Sequence, residues 1–152
     1  MDTIKFTGKF KLECRDKHGN LKWSEVVPNG VTSAGKAQIA LLAGDASATP
    51  FTYLAVGTDA TAFGIGQTAL VAEIVDSGLS RASATVSRVT TTVTNDTLRL
   101  VKTWTATGAK TVEEIGAFNA ASTGTLLCRA LTTSKTVSTD DTLTATYDVA
   151  FA

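Results

Sequence analysis

The chain has 152 residues, enough for one domain with a full core, and its 14 Lys+Arg balance 14 Asp+Glu. That neutrality argues against a nucleic-acid binder, and no apolar run approaches the length of a membrane span. Charged residues make up only 18%, and Thr stands in their place, a β-branched residue that favours strands and keeps a strand surface wet without charge.

From the N-terminus, Ile4, Phe6, Phe10, Leu12 and Cys14 share one face of an alternating stretch, with Lys9, Lys11 and Glu13 on the other. Period two predicts a half-buried strand. Asp16-Lys17-His18-Gly19-Asn20 is a turn, and Leu21 and Trp23 resume the alternation, so the opening reads as a hairpin that Pro28-Asn29-Gly30 terminates. A helix is expected near 33–43, capped by Thr32 or Ser33 and carried by the Ala- and Leu-rich run to Ala43, with Gly44 in the left-handed C-terminal position. Its broad apolar face suits packing against a sheet.

Phe51 to Val56 forms an apolar strand, the glycine-bearing stretch 58–68 a loop, and Ala69 to Val71 a helical turn. Ser80 to Val93 and Thr97 to Thr107 read as two strands joined by a tight hairpin at Asn95-Asp96. On the second, Leu98, Leu100 and Trp104 line one face, with Arg99, Thr103 and Thr105 on the other. Val112 to Phe118 and Thr125 to Leu131 flank a turn at Ser122-Thr123-Gly124, and after Asp140-Asp141 a last strand alternates Leu143, Ala145, Tyr147, Val149 and Phe151 with Thr144, Thr146, Asp148 and Ala150. The expected fold is mainly β: a compact sandwich or barrel-like domain of about eight short strands with one inserted helix. Residues 1–7 are expected to form an N-terminal arm and 8–152 the domain.

Side-chain catalysis needs a group that changes protonation near neutral pH beside a partner. His18 is the only histidine and lies in a turn, and no Gly-x-Ser-x-Gly elbow presents a serine. Glu113-Glu114 and Asp140-Asp141 are adjacent acids, and neighbours on a strand point to opposite faces. In the stretch 57–68, Gln67 stands where a phosphate-binding loop needs Lys. Trp23, Tyr53, Trp104 and Tyr147 could build a sugar-stacking platform, although Trp104 and Tyr147 fall on apolar faces that suit core packing. Arg81, Arg88, Arg99 and Lys102 read as a solvated or partner-facing stripe. Cys14 and Cys128 have no metal-ligand spacing. The start Met1-Asp2-Thr3-Ile4-Lys5 has no apolar core of a secretory signal, so a chain made in the cytosol with two free thiols is expected. No catalytic residue, metal or cofactor is expected.

An ordered set of segments carries a resemblance. Phe6-Thr7-Gly8-Lys9-Phe10-Lys11-Leu12, Asp16-Lys17-His18-Gly19, Trp23, Pro28-Asn29-Gly30-Val31-Thr32 and Gly35 are followed by Phe51-Thr52-Tyr53-Leu54-Ala55-Val56-Gly57-Thr58. Thr68-Ala69-Leu70, Glu73, Ile115-Gly116-Ala117-Phe118-Asn119-Ala120-Ala121 and Gly124-Thr125-Leu126 complete it. In these the chain resembles the head decoration (cement) proteins of tailed bacteriophages, in particular thermophilic long-tailed phages, from about Phe6 to Phe151. The resemblance implies a β-rich homotrimer on the virion, seated on the outer capsid lattice and clamping neighbouring major capsid subunits. It implies no catalytic residues. The expected contact residues are Ile4, Phe6, Trp23, Arg88 and Arg99. A tail or fibre component is the second expectation. A carbohydrate-binding module using Tyr53, Trp23 and the 57–68 loop is the third.

Overall fold

The computed structural model describes residues 2–151, a mainly β sandwich of two five-stranded antiparallel sheets and one helix. Met1, the first residue of the expected arm, and Ala152, the last of the expected domain, lie outside the described residues. The elements are β1 (Phe6–Arg15), β2 (Leu21–Pro28), β3 (Gly30–Val31), α1 (Ser33–Gly44), β4 (Tyr53–Gly57) and β5 (Ala82–Ser83). They continue as β6 (Thr85–Val89), β7 (Thr97–Thr105), β8 (Lys110–Phe118), β9 (Leu126–Val137) and β10 (Thr142–Phe151). Sheet A runs β2-β1-β10-β7-β6 and sheet B runs β3-β9-β8-β4-β5.

The alternation of β10 is obeyed: Leu143, Ala145, Tyr147 and Val149 are buried, while the residues between them face outward. β1 pairs with it in register from Phe6↔Phe151 to Arg15↔Thr142, which places Phe10 flat on Tyr147 with ring centroids 4.5 Å apart. The inner faces of both sheets meet in one core that includes Leu12, Leu54, Val56, Leu100, Trp104 and Ile115. Burial of these side chains is the main source of stability, at about 1.5–3 kcal/mol each.

The structure differs from the sequence reading at several points. Among the described residues there are ten strands where about eight are expected. Because Phe6 and Thr7 find partners in Phe151 and Ala150, they belong to β1, and the extended segment ahead of it is 2–5. The expected single strand from Ser80 to Val93 is two strands in different sheets, β5 on β4 and β6 on β7. The break falls at Ala84, whose N–H donates to Thr52 O at 2.8 Å, so the chain itself closes that corner of the sandwich.

Asn95-Asp96 does not make a two-residue hairpin. Residues 90–96 form a longer loop in which the Asp96 carboxylate accepts the N–H groups of Thr91, Thr92 and Val93, with Asn95 at φ 63°. Ala69 to Val71 is not helical, because two of its neighbouring amides are used elsewhere, as described below. Gly44 ends α1 with helical backbone, and the cap is Asp45 in extended conformation. At the other end Thr32, fully buried, accepts the Gly35 N–H at 2.9 Å and donates to Leu126 O at 2.5 Å. One side chain therefore starts the helix and fixes it to β9.

Candidate functional site

The two outer faces of the sandwich are unlike. Over sheet B, the segment between β4 and β5 is held down by ionic contacts. Arg129 on β9 and Glu114 on β8 are both wholly buried and meet at 2.5 Å. The Glu114 carboxylate also accepts the N–H groups of Val71 and Ala72, at 3.1 and 2.8 Å, and Arg129 donates to Thr61 O at 2.6 Å and Asp59 O at 3.3 Å. With its donors and acceptors met, the pair is tolerated inside. Gly57 makes room for it: a Cβ there would sit 2.3 Å from Glu114 Oε1.

A second clamp is Arg81, which grips Glu73 through Nε and Nη2 at 2.9 and 2.7 Å and donates to Ala120 O and Thr123 O. Its guanidinium lies 3.5 Å from the Phe118 ring centroid. Gln67, which stands where a phosphate-binding loop needs Lys, closes the loop on itself, accepting from Gly64 N–H and donating to Ala62 O. Sequence reading missed Arg129 and Glu114 as a pair because strand parity gives the face of a residue and says nothing of what covers that face.

The outer face of sheet A is open. Lys9, Lys11, Arg15, Val26, Thr103, Thr105, Thr85 and Ser87 are exposed across it, and Thr142, Thr144, Thr146, Asp148 and Arg99 are half-buried. Arg99 holds Asp148 at 2.7 Å through two nitrogens, and the Thr103 and Thr144 hydroxyls meet at 2.8 Å. The face is five strands wide, mostly polar, and carries the exposed Val26 opposite Lys11.

The expected contact residues do not form one patch. Ile4 is 71% exposed in the extended segment. Phe6 opens β1 and meets Phe151 edge-on at 5.3 Å. Arg88 is exposed on the edge strand β6 and lies opposite Leu98, whereas Arg99 lies opposite Ser87. The two arginines therefore point to opposite faces of sheet A and do not share one stripe. Arg81 is withdrawn from it by the Glu73 clamp.

Trp23 sits at the far end of β2, half-buried, its Nε1–H donating to Thr136 O at 3.0 Å. Tyr53 pairs with Phe118, which pairs with Leu126 at the opposite end of β9 from Thr136. At about 3.3 Å per residue, that separates the two rings by roughly 30 Å, too far for one sugar platform. Trp104 and Tyr147 are in the core.

The acids are also committed. Glu113 accepts from the Ser134 hydroxyl at 2.8 Å. Asp141, read as a turn residue, is buried: it accepts from Lys22 Nζ at 2.5 Å, Ser138 N–H at 2.8 Å and the Cys14 thiol at 3.7 Å. Burial pushes its carboxyl up, but the Lys22 ammonium and the Ser138 N–H outweigh burial and hold it below its ordinary value. His18 is exposed in the β1–β2 turn, its backbone N–H bonded to the Asp16 carboxylate. Among the described residues no group of three or more His, Cys, Asp and Glu converges as metal ligands would. Both cysteines are free and buried.

At one end of the sandwich, α1 does not close completely on the sheets. Between it and edge strand β6 lies a cavity of about 590 Å³, walled by Ile39, Leu42, Phe51, Val86, Leu98 and Phe151 among others. Comparison with protein families, with curated proteins and with solved structures finds no match for the chain.

Proposed function

We propose that the chain is a virion structural protein that binds the outer surface of an expanded phage capsid and clamps neighbouring major capsid subunits, acting as a homotrimer. The observation that carries this reading is the open outer face of sheet A, five strands wide and furnished with Thr, Lys and paired Arg99–Asp148. The outer face of sheet B is instead covered by the chain's own 58–74 segment, which itself exposes Phe63, Ile65 and Val71, so sheet A supplies the uncovered sheet face on which this reading rests. The exposed segment 2–5, with Ile4 in it, precedes β1 outside both sheets, and an exposed segment of this kind is able to add to a neighbour's sheet edge. The resemblance to decoration proteins supplies the capsid. A protein that binds the mature shell and not its ruptured form raises the shell's stability by mass action.

Mixing the chain with emptied, expanded phage heads and sedimenting them tests the proposal. Saturable binding, a higher rupture temperature of the heads and a trimer mass in solution are expected. Arg99→Glu with Lys11→Glu on the open face should weaken binding, and deletion of residues 2–5 should weaken it further. Equal binding to unexpanded shells, or none to either, refutes it. Labelling found only on tails would move the protein to a tail or fibre. The glycan-binding alternative has no converging aromatic platform behind it.

A further inference from the structure

We infer that the groove between α1 and β6 is a binding site for an extended acidic–apolar polypeptide segment, which adds as a strand to the free edge of β6 and places an apolar side chain in the cavity. Three observations point to this occupant. β6 is the last strand of sheet A, and four of its five residues are exposed. An edge strand presents unpaired N–H and C=O groups, which a polypeptide backbone satisfies and a lipid chain does not. The cavity beside it, about 590 Å³, is walled almost wholly by aliphatic and aromatic side chains, enough to take one or two inserted side chains.

The third observation is charge. In the inward-facing rows of sheet A, Val86 lies opposite Leu100, and Arg88 lies opposite Leu98, which in turn lies opposite Val149. Val86, Leu98 and Val149 all wall the cavity, so Arg88 stands on the rim, between the Val86 row and Phe151. It is exposed and takes part in no ion pair or side-chain hydrogen bond among the described residues. An antiparallel partner strand therefore meets an apolar wall opposite Val86 and a free guanidinium two residues on, which suits an apolar residue and a carboxylate in alternation. The groove is at one end of the sandwich, apart from the open face of sheet A, so its test is independent of the capsid reading.

The probe is an acetylated, amidated peptide Thr-Glu-Thr-Leu-Thr, which in antiparallel register sets Leu opposite Val86 and Glu opposite Arg88. Titrated into the 15N-labelled full chain, it should shift the amides of Thr85–Val89 and of α1 near Ile39 and Leu42 saturably, and leave β1 and β2 unmoved. Lys in place of Glu should weaken binding by about fivefold, and Arg88→Glu, an exposed change that spares the fold, should reverse the preference. Unmoved β6 amides at millimolar peptide, while dodecanoate titrates the Leu42 and Phe51 signals, would overturn the proposal in favour of an apolar small molecule. Shifts of the same amides on dilution of the chain alone would overturn it in favour of a second copy. A peptide response indifferent to Arg88→Glu would also overturn it.

Discussion

Replacing Arg129 by Met tests whether the buried ion pair holds the 58–74 segment to sheet B. Met keeps the unbranched apolar stem of the side chain but not its guanidinium, so it leaves the fully buried Glu114 without its cation, and Thr61 O and Asp59 O without their donors. Removing one partner of a buried pair costs about 3–5 kcal/mol, because the remaining charge stays desolvated. For a domain of this size each kcal/mol lowers Tm by about 2–4 °C, so the expected fall is roughly 6–20 °C. Adding Glu114→Gln removes the stranded charge and keeps one oxygen, enough for the Ala72 N–H but not for the Val71 N–H as well, since the two donate to different oxygens of the carboxylate. The double variant should therefore be more stable than Arg129→Met alone. Thermal unfolding followed by Trp fluorescence gives the stability, and hydrogen exchange at Val71 and Ala72 gives the local attachment. An Arg129→Met protein within about 1 kcal/mol of the parent, with both amides still protected, would refute the reasoning.

Further outcomes follow from single contacts. Gly35→Ala, which in an exposed helix would stabilise by up to about 1 kcal/mol, should destabilise here, since the new Cβ would lie 2.4 Å from Leu127 O; chemical denaturation reads the sign. Thr32→Val should cost about 1–2 kcal/mol through loss of the helix cap and the bond to Leu126 O, measured the same way. Burial pushes the Cys14 thiol up to about 11 and the Cys128 thiol up to about 12, so a thiol reagent at pH 8 should label neither in the folded protein and both in guanidinium. Asp141 is held below its ordinary value in the folded state. Its stabilisation is thus present above the unfolded carboxyl value near 4 and lost as pH falls through the lower folded one. Denaturation midpoints between pH 6 and 2 should fall less steeply for Asp141→Asn than for the parent.

Strand parity made most of the architecture legible. The faces of β1, β7 and β10 are those their alternation predicts, down to Arg99 and Leu98 on opposite sides. Where the reading failed, the deciding contact was distant in sequence. Nothing within 80–93 marks Ala84 as a crossing point; its partner, Thr52, lies in another segment. The expected strand ends at Leu131, yet β9 runs on to Val137 because β8 runs alongside it and Trp23 and Glu25 bond to it from β2. Arg129 and Glu114 are charged residues that composition assigns to the surface. Only the loop that supplies two N–H groups and two carbonyls makes their burial tolerable, and no local pattern encodes that. The groove beside β6 was likewise hidden, since its walls come from α1, β6, β7 and β10 together.

The place of β10 between β1 and β7 has a kinetic consequence. β8, β9 and β4 can pair as soon as β9 has been made, and β1 with β2 can close their local hairpin, but sheet A has no middle until β10 exists. Phe10, Leu12 and Cys14 must wait, apolar and uncovered, for partners that are among the last residues of the described chain to be synthesised. The pairing of β10 with β1 is long-range in sequence, and closures of that kind slow folding. During that interval the β1–β2 hairpin is the part of the molecule most open to capture by a neighbouring chain.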